Sequence, residues 1–341
     1  MPQKILIAGE TGNHCLEMSY QQAFKAAGYE ALLFDTQRAV HKYAKFGRFG
    51  RELHRFFPVE AWLRKANKEF AEYARAHKPD IIVLFTGAET LPGTIAYIKS
   101  ILPARIVWYW ADPLPNLSRY IHQSLPLVDL VASYSRSSLK VFEQMGAART
   151  LWLPFAGDMD AHYRPAAEIN SYLYDVSFVG SWRPEREAAL QTIHENFPQL
   201  RIKLSGPYWD RCKYQPLKKI ADTKPLYGKS FTDVMQSSLL SLNVMDNTNY
   251  PSVNMRFFEI MAAGGAQLCS EGPEMEDIFQ QQKHLLYFSD ASSLVEKVKF
   301  ALDNPQEVQK IRQNGQQLLL SEHLYKHRVE ALVNAVQQIK P

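Results

Sequence analysis

Pro251-Ser-Val-Asn254-Met-Arg256-Phe-Phe258-Glu259-Ile-Met-Ala-Ala-Gly264-Gly265-Ala-Gln-Leu-Cys269 is the stretch whose reading decides the fold. It predicts a short loop, a helix from about Val253, a glycine stop, and a strand over 266–269. Phe257, Ile260 and Met261 fall at i, i+3 and i+4, so one helix face is buried. Gly264 and Gly265 sit where a left-handed helix end and a close backbone approach are wanted. A helix start offers unpaired N–H groups and partial positive charge, which suits a phosphate. Arg256 adds a bidentate donor, and Glu259 one turn on suits the vicinal hydroxyls of a ribose. The same pair also reads as a helical ion pair worth a few tenths of a kcal/mol.

Outward from that stretch, 341 residues suggest about two domains. A composition 46% hydrophobic and 22% charged is that of a globular chain with real cores. A net charge of +4 is too small for a dedicated nucleic-acid binder. Cys15, Cys212 and Cys269 stand far apart, which predicts a reducing compartment and no metal site. The first strand signal begins at Lys4, leaving no room for a signal peptide, and no apolar run reaches the ~18–20 residues of a spanning helix. The expected location is cytoplasmic.

In the first half, Lys4–Ala8 is an apolar run entering Gly9-Glu10-Thr11-Gly12-Asn13, and the strand signal repeats at Ala31–Phe34, Asp80–Phe85, Arg105–Trp110, Val128–Ser133 and Thr150–Leu153. Helical segments alternate with these runs, so an open parallel sheet is expected, with ligands beyond the strand C-terminal ends. Gly9-x-x-Gly12 lacks the third glycine of a dinucleotide fingerprint. The acceptor-side candidates are therefore Gly9, Gly12, Asn13, His14, Gly87, Glu89 and Asp112. His14 and Asp112 are the candidate catalytic groups there, each with a structural alternative: a core histidine, and a turn-forming carboxylate before Pro113. Residues 38–78 hold eleven Lys/Arg against four Glu, with Phe46, Phe49, Phe56, Phe57 and Trp62 interleaved. That region reads either as a solvated helix pair or as a peripheral contact with an anionic membrane or charged acceptor.

Pro154 to Pro165 loses periodicity and collects Pro, Gly and Asp, a domain boundary. The expected division is 1–155, a linker 156–172, a second α/β domain 173–320, and a C-terminal helix 321–341 that packs back on the first domain. Tyr174–Val179 opens the second sheet and is followed by Gly180-Ser181-Trp182-Arg183-Pro184-Glu185-Arg186, a strand, a glycine turn and a helix start with two arginines. Further strands are expected at Arg201–Leu204, before Ser205-Gly206, and at Leu239–Val244, with Tyr227 between them placed to hold a base edge.

Two α/β domains with an anion-ready helix start in the second describe the GT-B architecture, two Rossmann-like domains facing a cleft. The chain resembles the glycosyltransferase group 1 proteins of the spore-maturation type, often called CgeB-like. The matching stretches include Asn67 with Lys78-Pro79-Asp80, Val107–Trp110 with Asp112-Pro113, Leu153-Pro154, Phe178-Val179-Gly180-Ser181 with Arg186, Ser205-Gly206, Leu242-Asn243, Arg256-x-Phe258-Glu259 with Gly264, and His323 with Arg328. The resemblance implies sugar transfer from a nucleotide-sugar donor, held by the second domain, to a glycan, protein or modified nucleic acid held by the first. It implies no metal and no cofactor. The donor-side set is Gly180, Arg183, Arg186, Gly206, Tyr227, Asn254, Arg256, Phe258, Glu259 and Gly264, with Arg186 and Arg256 on the diphosphate and Glu259 on the ribose. One departure stands out: many retaining enzymes of this fold carry a glutamate eight positions before Glu259, and here that position is Pro251. Two other functions fit the same architecture, a nucleotide-sugar epimerase and a non-catalytic carbohydrate-binding or scaffold protein.

Overall fold

The computed structural model of the protein describes residues 3–12, 15–44, 47, 59–85, 90–117, 120–166, 169 and 171–340. The chain divides into two compact units: residues 1–154 with 325–341, and residues 155–324. The chain therefore passes from one unit to the other twice.

The first unit runs β1 (Lys4–Gly9), α1 (Leu16–Ala26), β2 (Glu30–Asp35), α2 (Thr36–Tyr43), α3 (Glu60–His77), β3 (Ile81–Phe85), α4 (Pro92–Ile101), β4 (Arg105–Trp110), β5 (Leu130–Ser133), α5 (Arg136–Gln144) and β6 (Thr150–Trp152). All its strands pair in parallel, in the order β2-β1-β3-β4-β5-β6. Both sheet faces are covered, which is why β1 and β3 read as unbroken apolar runs; Ile5, Leu6, Ile7 and Ile81–Val83 are fully buried. Of the basic region, α2 and α3 are described; Phe46, Phe49, Phe56 and Phe57 lie outside the described residues, and Trp62 packs beside Leu63 and Ala66.

The second unit runs β7 (Tyr174–Val179), α6 (Pro184–Asn196), β8 (Ile202–Ser205), β9 (Ala221–Asp222), α7 (Gly228–Gln236), β10 (Ser238–Asn243), α8 (Met255–Ala262), β11 (Gln267–Ser270), β12 (Leu286–Phe288), α9 (Ala291–Asp303) and α10 (Pro305–Glu322). Its parallel sheet is ordered β12-β11-β10-β7-β8-β9. The two edge strands, β9 and β12, are additions to the sequence expectation; at two and three residues they are too short to carry a period. The core joins Val176, Phe178, Leu204, Leu240 and Leu268 of the sheet to Leu190, Ile193, Leu294 and Val298 of the helices.

The last helix, α11 (Tyr325–Gln337), belongs to the first unit and lies along α1. Its buried face presents Tyr325, whose ring meets Tyr20 at 5.2 Å; Tyr20 in turn meets Tyr109 at 5.5 Å and Phe85 at 5.2 Å. Arg328 is buried among these phenols, and its Nε donates to the Pro154 carbonyl at 2.9 Å. At the helix end, Arg105 Nη2 donates to the carbonyls of Ile339 (3.2 Å) and Lys340 (3.1 Å), the cation that a helix C-terminus favours. Arg328→Met keeps the aliphatic stem but leaves a carbonyl of Pro154 unbonded. Urea unfolding of the variant is expected to show a loss of about 1–3 kcal/mol, and limited proteolysis is expected to release α11 before the rest of the chain is cut. An unchanged midpoint would remove Arg328 from the account of how this helix is held.

Candidate functional site

In the second sheet, the chain proceeds outward from β7 through β8 to β9, then returns to place β10 on the other side of β7. Between these two strands the connections leave in opposite directions, α6 following β7 and α8 following β10. Open parallel sheets bind ligands at such a switch point, beyond the strand C-terminal ends.

The β7–α6 turn is built by two glycines that meet. Gly180 N–H donates to Ser205 O at 2.9 Å, its carbonyl accepts from Trp209 Nε1 at 2.9 Å, and a Cβ on Gly206 would lie 2.0 Å from that carbonyl. Gly206 also has φ +143°, where side chains are strained. The close approach at these glycines is therefore of the chain to itself. Glu187, in the first turn of α6, anchors the same turn: Trp182 Nε1 donates to it at 2.6 Å, and the N–H groups of Lys213 and Tyr214 at 2.8 Å each.

This scaffold aims Arg186 back across the turn. Its Nη1 donates to the carbonyl and hydroxyl of Ser181, both at 2.9 Å, and its Nη2 lies 3.7 Å from Asp246 Oδ2 on the loop after β10. Its Nε is buried without a hydrogen-bond partner among the described residues. Burial lowers the guanidinium's affinity for its proton, and the charges of Arg183 and Arg256 add to that, while Asp246 opposes it. Arg183, at the helix N-cap, is exposed. Three guanidinium groups thus share one electrostatic neighbourhood at the switch point.

Asp246 is the functional candidate that the sequence reading missed. Its Oδ1 accepts from Thr248 Oγ1 at 2.6 Å and Asn249 Nδ2 at 2.8 Å, which shapes the loop between β10 and α8. Burial pushes its carboxyl up, but the hydrogen bonds from Thr248 and Asn249 and the charges of Arg186 and Arg183 together hold it below the ordinary aspartate value.

The helix starts at Met255, two residues later than expected, because Asn254 is its N-cap. Asn254 Oδ1 accepts from Phe257 N at 3.1 Å, and its amide exchanges two hydrogen bonds with Asn243 at the end of β10 (3.0 and 3.1 Å). That pair fixes where the helix begins relative to the sheet. Along α8, Arg256 Nη1 and Glu259 Oε2 are 2.6 Å apart and both partly buried, and the Arg256 guanidinium lies 4.4 Å from the ring centre of Phe231 on α7. The helical ion pair and the candidate diphosphate and ribose contacts are therefore the same two residues.

Other expected positions have different duties. Phe258 is fully buried between Phe257 (5.2 Å) and Phe279 (6.2 Å), so its ring serves the core; the expectation of a ligand contact for it is corrected. Gly264, with φ +68°, ends α8, and a Cβ there would come within 3.0 Å of Arg164 O; what approaches it is the segment 164–166. Tyr227 is exposed at the start of α7, where its carbonyl accepts from Ser230 Oγ at 2.8 Å.

In the first unit the switch point lies between β1 and β3. Gly9 ends β1, and a Cβ there would lie 2.5 Å from Glu17 Oε1, so this glycine admits the buried Glu17, which accepts from Glu10 N at 3.1 Å. Gly12 faces open space. Asn13, His14, Gly87 and Glu89 lie outside the described residues. Asp112 follows β4, and its Oδ2 accepts from Asn116 Nδ2 at 2.9 Å. Among the described residues no group of three His, Cys, Asp or Glu side chains is placed to hold a metal ion, and no helix is long and apolar enough to cross a membrane.

Residues 183–334 match the family model described as "Glycosyl transferase-like". Solved structures share the fold over nearly the whole chain. HepE of Anabaena in complex with UDP is 14% identical with a TM-score of 0.68, covering 98% of this chain and 100% of that one. Sucrose-phosphate synthase from Thermosynechococcus elongatus is 12% identical with a TM-score of 0.68, covering 98% of each chain. A glycosyltransferase from Rickettsia africae is 10% identical with a TM-score of 0.70, covering 99% of this chain and 98% of that one. At such identities the likeness is one of fold: two parallel α/β units of the GT-B type. No curated protein matches the chain in sequence.

Two outcomes follow from this geometry. Gly206→Ala, which drives a methyl into the Gly180 carbonyl, is expected to destabilise by on the order of 2–4 kcal/mol, whereas Gly12→Ala stays within about 0.5 kcal/mol; denaturant melts of both variants check this. Asp246 has a folded pKa below its unfolded value of about 3.9, so the stability it contributes is present above about pH 4 and is lost as pH falls. Asp246→Asn should lower the urea midpoint at pH 7 and flatten its acid decline below pH 4; an unaltered pH profile would contradict the assignment.

Proposed function

We propose that this protein is a glycosyltransferase that uses a nucleotide-sugar donor bound at the β7/β10 switch point. The observation that carries the reading is the convergence there of Arg183, Arg186 and Arg256 with the start of α8. Breaking a glycosidic bond to a nucleoside diphosphate builds negative charge on the leaving oxygens, and preorganised cations placed where that charge develops lower the barrier. Arg186 and Arg256 are assigned to the diphosphate, with Arg183 at the exposed rim. Those three positive charges are the reason to propose transfer without a metal. Glu259 orients Arg256 and offers its remaining oxygen to the ribose hydroxyls, and exposed Tyr227 is the candidate for the base edge. In the first unit, Asp112 and His14 are the proposed groups facing an acceptor, which is a glycan, a protein or a modified nucleic acid. The sequence resemblance to the spore-maturation type supports the same chemistry, and the basic helices α2 and α3 are the part of the first unit offered to a charged acceptor or membrane surface, from the cytoplasmic side.

Binding of nucleoside diphosphates tests this directly. UDP, GDP, ADP, TDP and CDP are titrated into the wild type, Arg186→Ala, Arg256→Ala and Glu259→Ala, with melting temperature and heat of binding recorded. One diphosphate should stabilise the wild type, by about 2.7 kcal/mol at a hundred times its dissociation constant. Each arginine variant should bind it at least tenfold more weakly, and Glu259→Ala should lose donor turnover while staying folded. Binding unaffected by all three substitutions would sink the site, and stabilisation by no diphosphate would leave a non-catalytic carbohydrate binder as the reading.

A further inference from the structure

Helices α3 and α4 of the first unit enclose a groove of about 300 Å³ far along the chain from every donor-side residue. Its lining includes Arg64, Lys68 and Arg75 of α3, and Gly93 and Tyr97 of α4. Arg64, Lys68 and Arg75 recur at helical spacing, so they share one face, with Ala71 and Glu72 also in the groove lining and Phe70 and Ala74 turned into the core against the sheet. Like charges four apart on a helix repel by a few tenths of a kcal/mol, and the carboxylates nearby answer them unevenly. Glu60 holds Arg64 at 2.9 Å, Glu72 stands 3.9 Å from Lys68, and Arg75 has no ion-pair partner among the described residues.

The opposite wall is made by the start of α4, and its position is fixed. The buried Asn67 donates from Nδ2 to Leu63 O at 2.9 Å and accepts from Leu91 N–H at 2.8 Å, tying the α4 N-cap to α3. Pro92 has no N–H, so Gly93 carries the first amide hydrogen of the helix, which has no intrahelical carbonyl to bond. A Cβ at Gly93 would meet nothing within 4 Å, so the space beside this first helical turn is open. At the far wall Tyr97 is 47% exposed, a flat amphipathic ring beside the cations.

A concave wall whose lining carries three cations against one carboxylate, Glu72, concentrates anions, and an exposed aromatic ring beside it suits the apolar face of a sugar. We propose that this groove binds an anionic saccharide unit, a sugar phosphate or a uronate, at a site separate from the switch point of the second unit. Lys68 and Arg75 supply the charge and Tyr97 the sugar contact, and Gly93 leaves room beside them. As a statement about binding, it stands whether or not the second unit transfers a sugar.

The test is isothermal titration of glucose 6-phosphate, glucuronate, inorganic phosphate and glucose into the full chain. The variants are Lys68→Glu/Arg75→Glu, Tyr97→Ala and, as a control for the donor site, Arg256→Ala. All the groove positions changed are exposed, and melting temperatures confirm that the variants fold. One of the two anionic sugars should bind, and whichever binds tighter names the source of the charge. The charge reversal should weaken it at least tenfold, Tyr97→Ala should weaken it while leaving inorganic phosphate unchanged, and Arg256→Ala should leave it unchanged. The proposal is overturned if neither anionic sugar binds, if binding survives the charge reversal, if it is lost in Arg256→Ala, or if free phosphate or neutral glucose binds as well as the anionic sugar.

Discussion

Everything at the candidate site depends on the position of one guanidinium, that of Arg186. A buried cation is tolerated only when its desolvation is offset by partners. Here the offset is incomplete, because Asp246 stands 3.7 Å away and Ser181 satisfies one nitrogen, while Arg183 and Arg256 add like charge. Such an arrangement holds only on a rigid frame. The frame is the pair of adjacent strands β7 and β10, the glycine contact behind the β7 turn, and the Asn243–Asn254 amide exchange that fixes the start of α8. Taken one at a time, each is an ordinary structural bond. Jointly they keep three arginines from relaxing apart, and on the proposed reading a diphosphate is what completes the set.

The fold was legible because parallel strands buried on both faces appear as apolar runs, and because glycine turns and helix starts follow them. β1, β3 and β7 announce themselves in this way, and β4 and β10 by their apolar runs alone. The edges did not, since β9 and β12 have two and three residues and take their conformation from their neighbours. The site was legible to the extent that charge on an otherwise apolar element is visible: Arg186, Arg256 and Glu259 stand out along the chain. Asp246 did not, because its role arises from a loop that brings it to Arg186 across sixty positions of sequence, and no local pattern signals that distance.

Glycine is where sequence and structure diverge most. A glycine at a strand or helix end suggests room for a ligand, yet Gly9 makes room for Glu17, Gly206 for Gly180, and Gly264 for the segment from Arg164. In each case the missing side chain is filled by the protein itself. Phe258 makes the same point from the other side, since the family resemblance put it in the donor set, but its ring closes the core. On the proposed reading, recognition in this unit therefore falls to charge, not to backbone openness.

Charge also separates the two units. In the second, Arg186 and Arg256 are drawn toward one point by tertiary contacts and are largely taken out of water, where an opposite charge interacts strongly, while Arg183 stays exposed beside them. In the first, the cations of α3 stay at the surface, where a single pair is worth little, and only the concavity beneath α4 gives them a common target. A chain that buries some cations and merely shapes a wall around others has two physically different ways to meet an anion. On the two proposed readings, the buried set would discriminate by geometry, and the surface set would gather by field and select through the tyrosine beside it.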